Sequence, residues 1–108
     1  MSQRVLWINY KFSGSAAALH ESLAPVVQPI ADLPGMHWKI WLINEAGHEA
    51  ACVHLFEDEA SIQAFLAGPI MAAAAQDPAL SDIVVQTFDV VEGFTRATRG
   101  PVGQFVAE

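Results

Sequence analysis

"PGMHWKIW", Pro34–Trp41, packs two tryptophans, a histidine and a lysine into eight residues, and its reading decides the fold. Pro34-Gly35 marks a turn, and the residues after it read as a strand, "MHWKIWLI". Alternate side chains of a strand share a face, so Trp38, Ile40 and Leu42 stand opposite His37, Lys39, Trp41 and Ile43. A dry core does not accept a histidine and a lysine without partners, and a wet surface rarely spends tryptophans. The mixed face is therefore expected to border a pocket or an interface.

Working outward, "VLWINYKF" (Val5–Phe12) alternates in the same way. Leu6, Ile8, Tyr10 and Phe12 form one dry face, and Trp7, Asn9 and Lys11 the other. The next segment repeats Leu19, Leu23, Val26, Val27 and Ile30 at helical spacing behind a serine-glycine start, which predicts a helix. Pro25 is expected to kink it and Pro29 to weaken its last turn. After the second strand, "NEAGHE" reads as a hairpin connection with Gly47 available for positive φ. The third strand, "AACVHLF", separates Ala51, Val53 and Leu55 from Cys52, His54 and Phe56. "EDEASIQAFLAGPIMAAAAQ" predicts a second helix with an acidic start, interrupted at Gly68-Pro69 and resumed in the alanine run. "DIVVQTFDVV" (Asp82–Val91) predicts the last strand, and the tail has room for one short helical turn.

The order is β-α-β-β-α-β, the split βαβ plan of an α+β, ferredoxin-like fold, with both helices on one face of a four-stranded antiparallel sheet. With 108 residues the chain fits a single domain spanning 1–108, in which 93–108 form a C-terminal extension. Leu6, Ile8, Trp38, Ile40, Leu42, Val53 and Leu55 are expected to meet the helices. Trp7, Asn9, His37, Lys39, Trp41, Cys52, His54 and Phe56 then line the uncovered face. Two such faces packed together would bury the aromatics and enclose the polar groups, which would need partners or a ligand.

Composition narrows the partners. The chain is 53% hydrophobic, above the usual range of roughly 45–50%, which suits a homodimer that covers apolar surface. Five basic residues against twelve acidic ones give a net charge of −7, and the basic ones are scattered, which argues against nucleic acid. The single Cys52 fits a reducing cytoplasm, and neither a targeting signal nor a membrane-spanning run is visible. "HEAAC" (His48–Cys52) lacks the second histidine of a zinc protease helix, so no metal site is expected, and no phosphate loop, nucleophile elbow or Cys-x-x-Cys points to a cofactor.

What remains is a pocket of strand side chains. His54 is the candidate acid or base, Asn9 the group that orients a phenolic or carbonyl oxygen, and Lys39 the cation for a developing oxyanion. Trp7 and Trp41 supply flat walls for a ring, with His37, Phe56 and Phe88 as further binding candidates, although register alone leaves the face of Phe88 open. Each has a plainer reading: a histidine bonded to a carbonyl, a snorkelling lysine, tryptophans packed in a dimer core.

"PGMHWKIW", "NEAGHEAACVHLFEDEASIQAFL" and "VVQTFDV" together resemble the YdhR family of mono-oxygenases, a branch of the dimeric α/β-barrel superfamily, from Val5 to about Glu92. Trp38, Lys39, Trp41, Glu49, Phe56, Asp58, Phe88 and Asp89 match its pattern. The resemblance implies a homodimer whose two sheets form a barrel, and oxidation of a small aromatic such as a phenol or hydroquinone by dioxygen without cofactor. Two other readings use the same residues: a dimer that binds a small aromatic molecule without turning it over, and a small isomerase or decarboxylase working through an enolate.

Overall fold

A computed structural model describes residues 3–103. The elements run β1 (Arg4–Phe12), α1 (Ala16–Ala31), β2 (Met36–Asn44), β3 (Glu49–Phe56), α2 (Glu59–Leu66), α3 (Pro69–Gln76), β4 (Leu80–Asp89) and α4 (Glu92–Ala97). The four strands form one antiparallel sheet in the order β2-β3-β1-β4, and α2 with α3 fills the second helical position. This is the ferredoxin-like βαββαβ architecture expected from the sequence.

Local chemistry explains the boundaries. Ser15 caps α1, its hydroxyl accepting from the Ala18 amide at 3.0 Å, and Asp58 caps α2 by accepting from the Ser61 amide at 2.8 Å. Pro69 starts α3, where its missing N–H costs nothing. α1 runs unbroken through Pro25 and Pro29. Both prolines are exposed, as is Glu21, so the carbonyls of Glu21 and Pro25 that lose their helical donors face water. Gly35 adopts φ 79° at the turn before β2, and a Cβ there would run into Ser61 Oγ. In the β2–β3 connection the positive φ falls on His48, at 50°, and not on Gly47. β4 lies two residues earlier than expected, because Leu80 and Ser81 already pair with Phe12 and Lys11 across a bulge.

The core lies between the sheet and the helices. Leu6, Ile8, Tyr10 and Phe12 of β1 and Ala50, Cys52 and Phe56 of β3 pack with Leu19 of α1 and with Ile62 and Phe65 of α2. Each fully buried large side chain contributes about 1.5–3 kcal/mol. The dry face of β1 is as read from the sequence, but the faces of β2 and β3 are reversed. Leu6 stands opposite His54, Ile8 opposite Cys52, and Lys39 and Trp41 stand opposite the same two β3 residues. Cys52, His54, Phe56, Lys39 and Trp41 thus belong to the helix-facing side, and Trp38, Ile40, Leu42, Val53 and Leu55 to the open side with Trp7 and Asn9. The sequence grouping within the β2–β3 hairpin holds, but its register against β1 is one residue away from the assumed one, which turns every hairpin side chain over.

The open face is apolar. Ile40, Leu42, Val84 and Phe88 are 42–49% exposed there. The chain after α4 returns to one end of this face: Trp38 Nε1 donates to the Pro101 carbonyl at 2.8 Å, and the Gln3 side chain and Gly103 backbone exchange two hydrogen bonds. Leu55 beneath is fully buried. None of the described helices is long and apolar enough to cross a membrane.

Candidate functional site

The antiparallel register lays the helix-facing side chains out in rows. One row runs Thr87, Leu6, His54, Lys39 across the four strands, and the next runs Val85, Ile8, Cys52, Trp41. Tyr10, Ala50 and Ile43 follow in the third row. Because β2 is the edge strand and α1 only partly covers it, a cavity of about 440 Å³ opens between α1 and the β1–β3–β2 half of the sheet. Tyr10, Trp41, Cys52 and Ala50 form its floor, and His20, Leu23, Ala24 and Val27 of α1 its roof. A smaller space of about 80 Å³ shares Tyr10, Leu23, Trp41 and Cys52 with it and reaches Lys39, Ile70 and Met71 deeper under the helices.

Lys39 is the basic group of this region. Its Nζ lies 3.5 Å from the centroid of the Trp41 ring, a cation–π contact, and the Cys52 thiol is near enough to influence the proton on the amine. No carboxylate pairs with it among the described residues, whereas Lys11 reaches Glu49 at 3.9 Å. Burial pulls the proton affinity of Lys39 below that of an ordinary lysine, partly offset by Cys52. Burial likewise raises the Cys52 thiol above its usual range, with Lys39 pulling it back, so the pair rests as amine and thiol more readily than as free charges in water. Tyr10 is buried, its hydroxyl pushed up to about 12 chiefly by desolvation, so at neutral pH it is a hydrogen-bond donor on the cavity floor.

His54 occupies a different environment. It is fully buried, with its ring 5.7 Å from Phe65 and 6.0 Å from Phe56, centroid to centroid. Its Nδ1 lies 3.1 Å from the Leu6 carbonyl, which assigns the proton to Nδ1, and Nε2 is left without a partner. Desolvation, then the Lys39 charge, lowers its pKa to about 4, so the ring is neutral at physiological pH. It stands beside Lys39 in the same row but is absent from the walls of both spaces.

The remaining candidates do not converge on this cavity. Trp7, Asn9 and Phe88 lie on the open face, and Asn9 already donates to Glu49 Oε2 at 2.8 Å. His37 sits at the irregularity between Met36 and Trp38 where β2 and β3 shift register. Phe56 is core, stacked near Phe65. The structure thus unites Lys39 and Trp41, keeps His54 next to them, and separates Trp7, Asn9 and Phe88 from all three. It adds Tyr10 and Cys52, which parity had placed on opposite faces; pairing Ile8 with Cys52 was the missing signal. Among the described residues no group of three or more His, Cys, Asp or Glu side chains is gathered as for a metal ion.

The family model described as "Putative mono-oxygenase ydhR" matches residues 5–101. No curated protein sequence matches the chain. Among solved structures, the NE2512 protein of unknown function from Nitrosomonas europaea superposes with a TM-score of 0.74 at 22% identity, covering 100% of this chain and 98% of that one. SnoaB, a cofactor-independent oxygenase from Streptomyces nogalater, superposes at 0.70 with 17% identity, covering 85% and 96%. MhuD, a heme-degrader from Mycobacterium tuberculosis with two hemes bound in its active site, does so at 0.60 with 26% identity, covering 81% and 95%.

Proposed function

The chain belongs to the YdhR mono-oxygenase family, and from that premise we propose that it is a cofactor-independent mono-oxygenase for a small phenolic or hydroquinone substrate, bound between the sheet and α1. The observation that carries this reading is Lys39, a lysine with no carboxylate partner among the described residues, held on the Trp41 ring at an apolar cavity. SnoaB, with the same fold, is a cofactor-independent oxygenase, and MhuD holds planar ring systems in its active site.

The chemistry follows from what the cavity offers. A phenol lying against Trp41 gives its proton to the Lys39 amine, whose lowered proton affinity suits that exchange, and the resulting ammonium stays beside the phenolate. The Tyr10 hydroxyl donates to a second oxygen of the ligand and fixes its orientation. The phenolate passes one electron to dioxygen, the ring radical and superoxide recombine at a ring carbon, and the peroxide collapses to a quinone. One oxygen atom enters the product and the other leaves as water, taking up protons from Lys39 and the ring carbon. This reading assigns the proton acceptor to Lys39 in place of His54, because an imidazole protonated only near pH 4 accepts a phenolic proton poorly. The bare Nε2 of His54, next to Lys39, keeps that site free of a competing positive charge.

A second copy covers the open face in this reading, giving a homodimeric barrel. The half-exposed Ile40, Leu42, Val84 and Phe88 support it, and the free Cys52 suits a cytoplasmic setting. The test is oxygen uptake with a panel of phenols and hydroquinones. Wild-type protein consumes oxygen and forms quinone, and Lys39→Met lowers the rate about 100-fold. Ligand-dependent tryptophan quenching without oxygen uptake would instead make the protein a binding dimer, and product formed without oxygen would make it an isomerase or decarboxylase.

A further inference from the structure

The sequence contains two lysines, and the fold puts them in opposite circumstances. Lys11 lies on the open side of the sheet, its side chain 46% exposed and within 3.9 Å of Glu49 Oε1. Lys39 lies on the helix side and lines the smaller of the two spaces, which shares Tyr10, Leu23, Trp41 and Cys52 with the larger, its amine over the Trp41 ring. The titratable groups facing it are the Cys52 thiol and His54 imidazole of β3 and the Tyr10 hydroxyl of β1, all neutral at physiological pH. From the helices the space receives aliphatic and aromatic side chains, such as Leu23, Val26, Phe65 and Met71. Among the described residues an amine so placed has no anion to hold its proton, and the Trp41 ring offers a flat apolar wall beside it.

We propose that Lys39 is a nucleophilic amine that captures aromatic aldehydes and ketones in this cavity as imines. Burial, which weakens its hold on the proton, enlarges the fraction that carries the attacking lone pair. That lone pair forms the C–N bond as the carbonyl π bond opens, giving a carbinolamine. The two amine hydrogens then leave with the carbonyl oxygen as water, and the C=N bond is made. The Cys52 thiol, which lines the same space as the amine, is placed to relay a proton to the departing hydroxyl. No oxidant takes part, so the activity stands apart from the oxygen chemistry above while using the same cavity.

The two lysines compete within one molecule, which makes the test internal. The full chain is incubated without oxygen with benzaldehyde and sodium cyanoborohydride, which reduces the imine to a stable benzylamine, and the labelled peptides are quantified by mass spectrometry. Labelling of Lys39 over Lys11 by roughly tenfold or more is expected from binding next to the amine. Lys39→Arg, which keeps the charge and cannot form an imine, folds as judged by circular dichroism and carries no label on β2. Equal labelling of the two lysines, or preference for Lys11, overturns the inference. Repeating the reaction with 1-naphthol present separates the two proposals: labelling of Lys39 that naphthol leaves unchanged upholds the imine and counts against the phenolic reading alone.

Discussion

The two faces of the sheet are both apolar, but they treat their polar groups differently. On the open face Asn9 and Lys11 meet on Glu49 and satisfy one another at one end of the strands. On the helix face, among the described residues, Lys39 has no carboxylate partner, Tyr10 lines the cavity, and His54 Nε2, buried outside the cavity walls, has no hydrogen-bond partner. A closed network has nothing left for a ligand, whereas unpartnered donors and acceptors around a cavity do. In the proposed reading the helix face receives a small molecule and the open face a second copy.

The sharpest way to break that contrast is to damage each face in turn. Phe56→Ala empties a fully buried position and should destabilise the protein by about 3–5 kcal/mol in urea unfolding. Ile40→Asp, on the half-exposed open face, should leave the single chain folded and shift it from dimer to monomer in sedimentation. If Ile40→Asp unfolds the chain and Phe56→Ala does not, the two faces have been confused.

A pH series probes the helix face alone. His54 has its folded pKa lowered to about 4 from 6.5, so between those values the unfolded chain binds more protons and stability falls as pH falls. The loss from this group begins below about pH 6.5 and is complete near pH 4, amounting to about 3 kcal/mol. Comparing wild type with His54→Phe isolates it from the carboxylates: the variant should lose less stability across that window. Parallel curves would place His54 in a wet environment.

Much of the fold was legible because each element carries its own signal: alternation for the strands, Ser15 and Asp58 caps for the helices, Gly68-Pro69 for the break between α2 and α3. What the alternation does not carry is the register between β1 and the hairpin. With both faces apolar, no side chain pays an obvious penalty on either, and the aliphatic set Ala51, Val53 and Leu55 looks more like core than Cys52, His54 and Phe56. The helix face accommodates the mixed set because it encloses a cavity, and the open face carries the greasy set because the described residues leave most of it uncovered. Of the candidate side chains, Lys39, Trp41 and His54 lie together on the helix face and Trp7, Asn9 and Phe88 on the open face, while Tyr10 escaped notice as a member of the dry face.

The smallest expected effect is at Asn9. Its bond to Glu49 is partly exposed, so Asn9→Ala should change stability by about 1 kcal/mol or less and leave oxygen uptake unchanged. A large loss of uptake would return the site to the open face.

The central claim, that ligands bind on the helix face, is tested most directly by tryptophan fluorescence during titration with 1-naphthol. Trp41 borders the cavity and Trp7 lies on the other side of the sheet. Quenching that survives Trp7→Phe and disappears in Trp41→Phe is the predicted result. Quenching that survives Trp41→Phe and disappears in Trp7→Phe would contradict it.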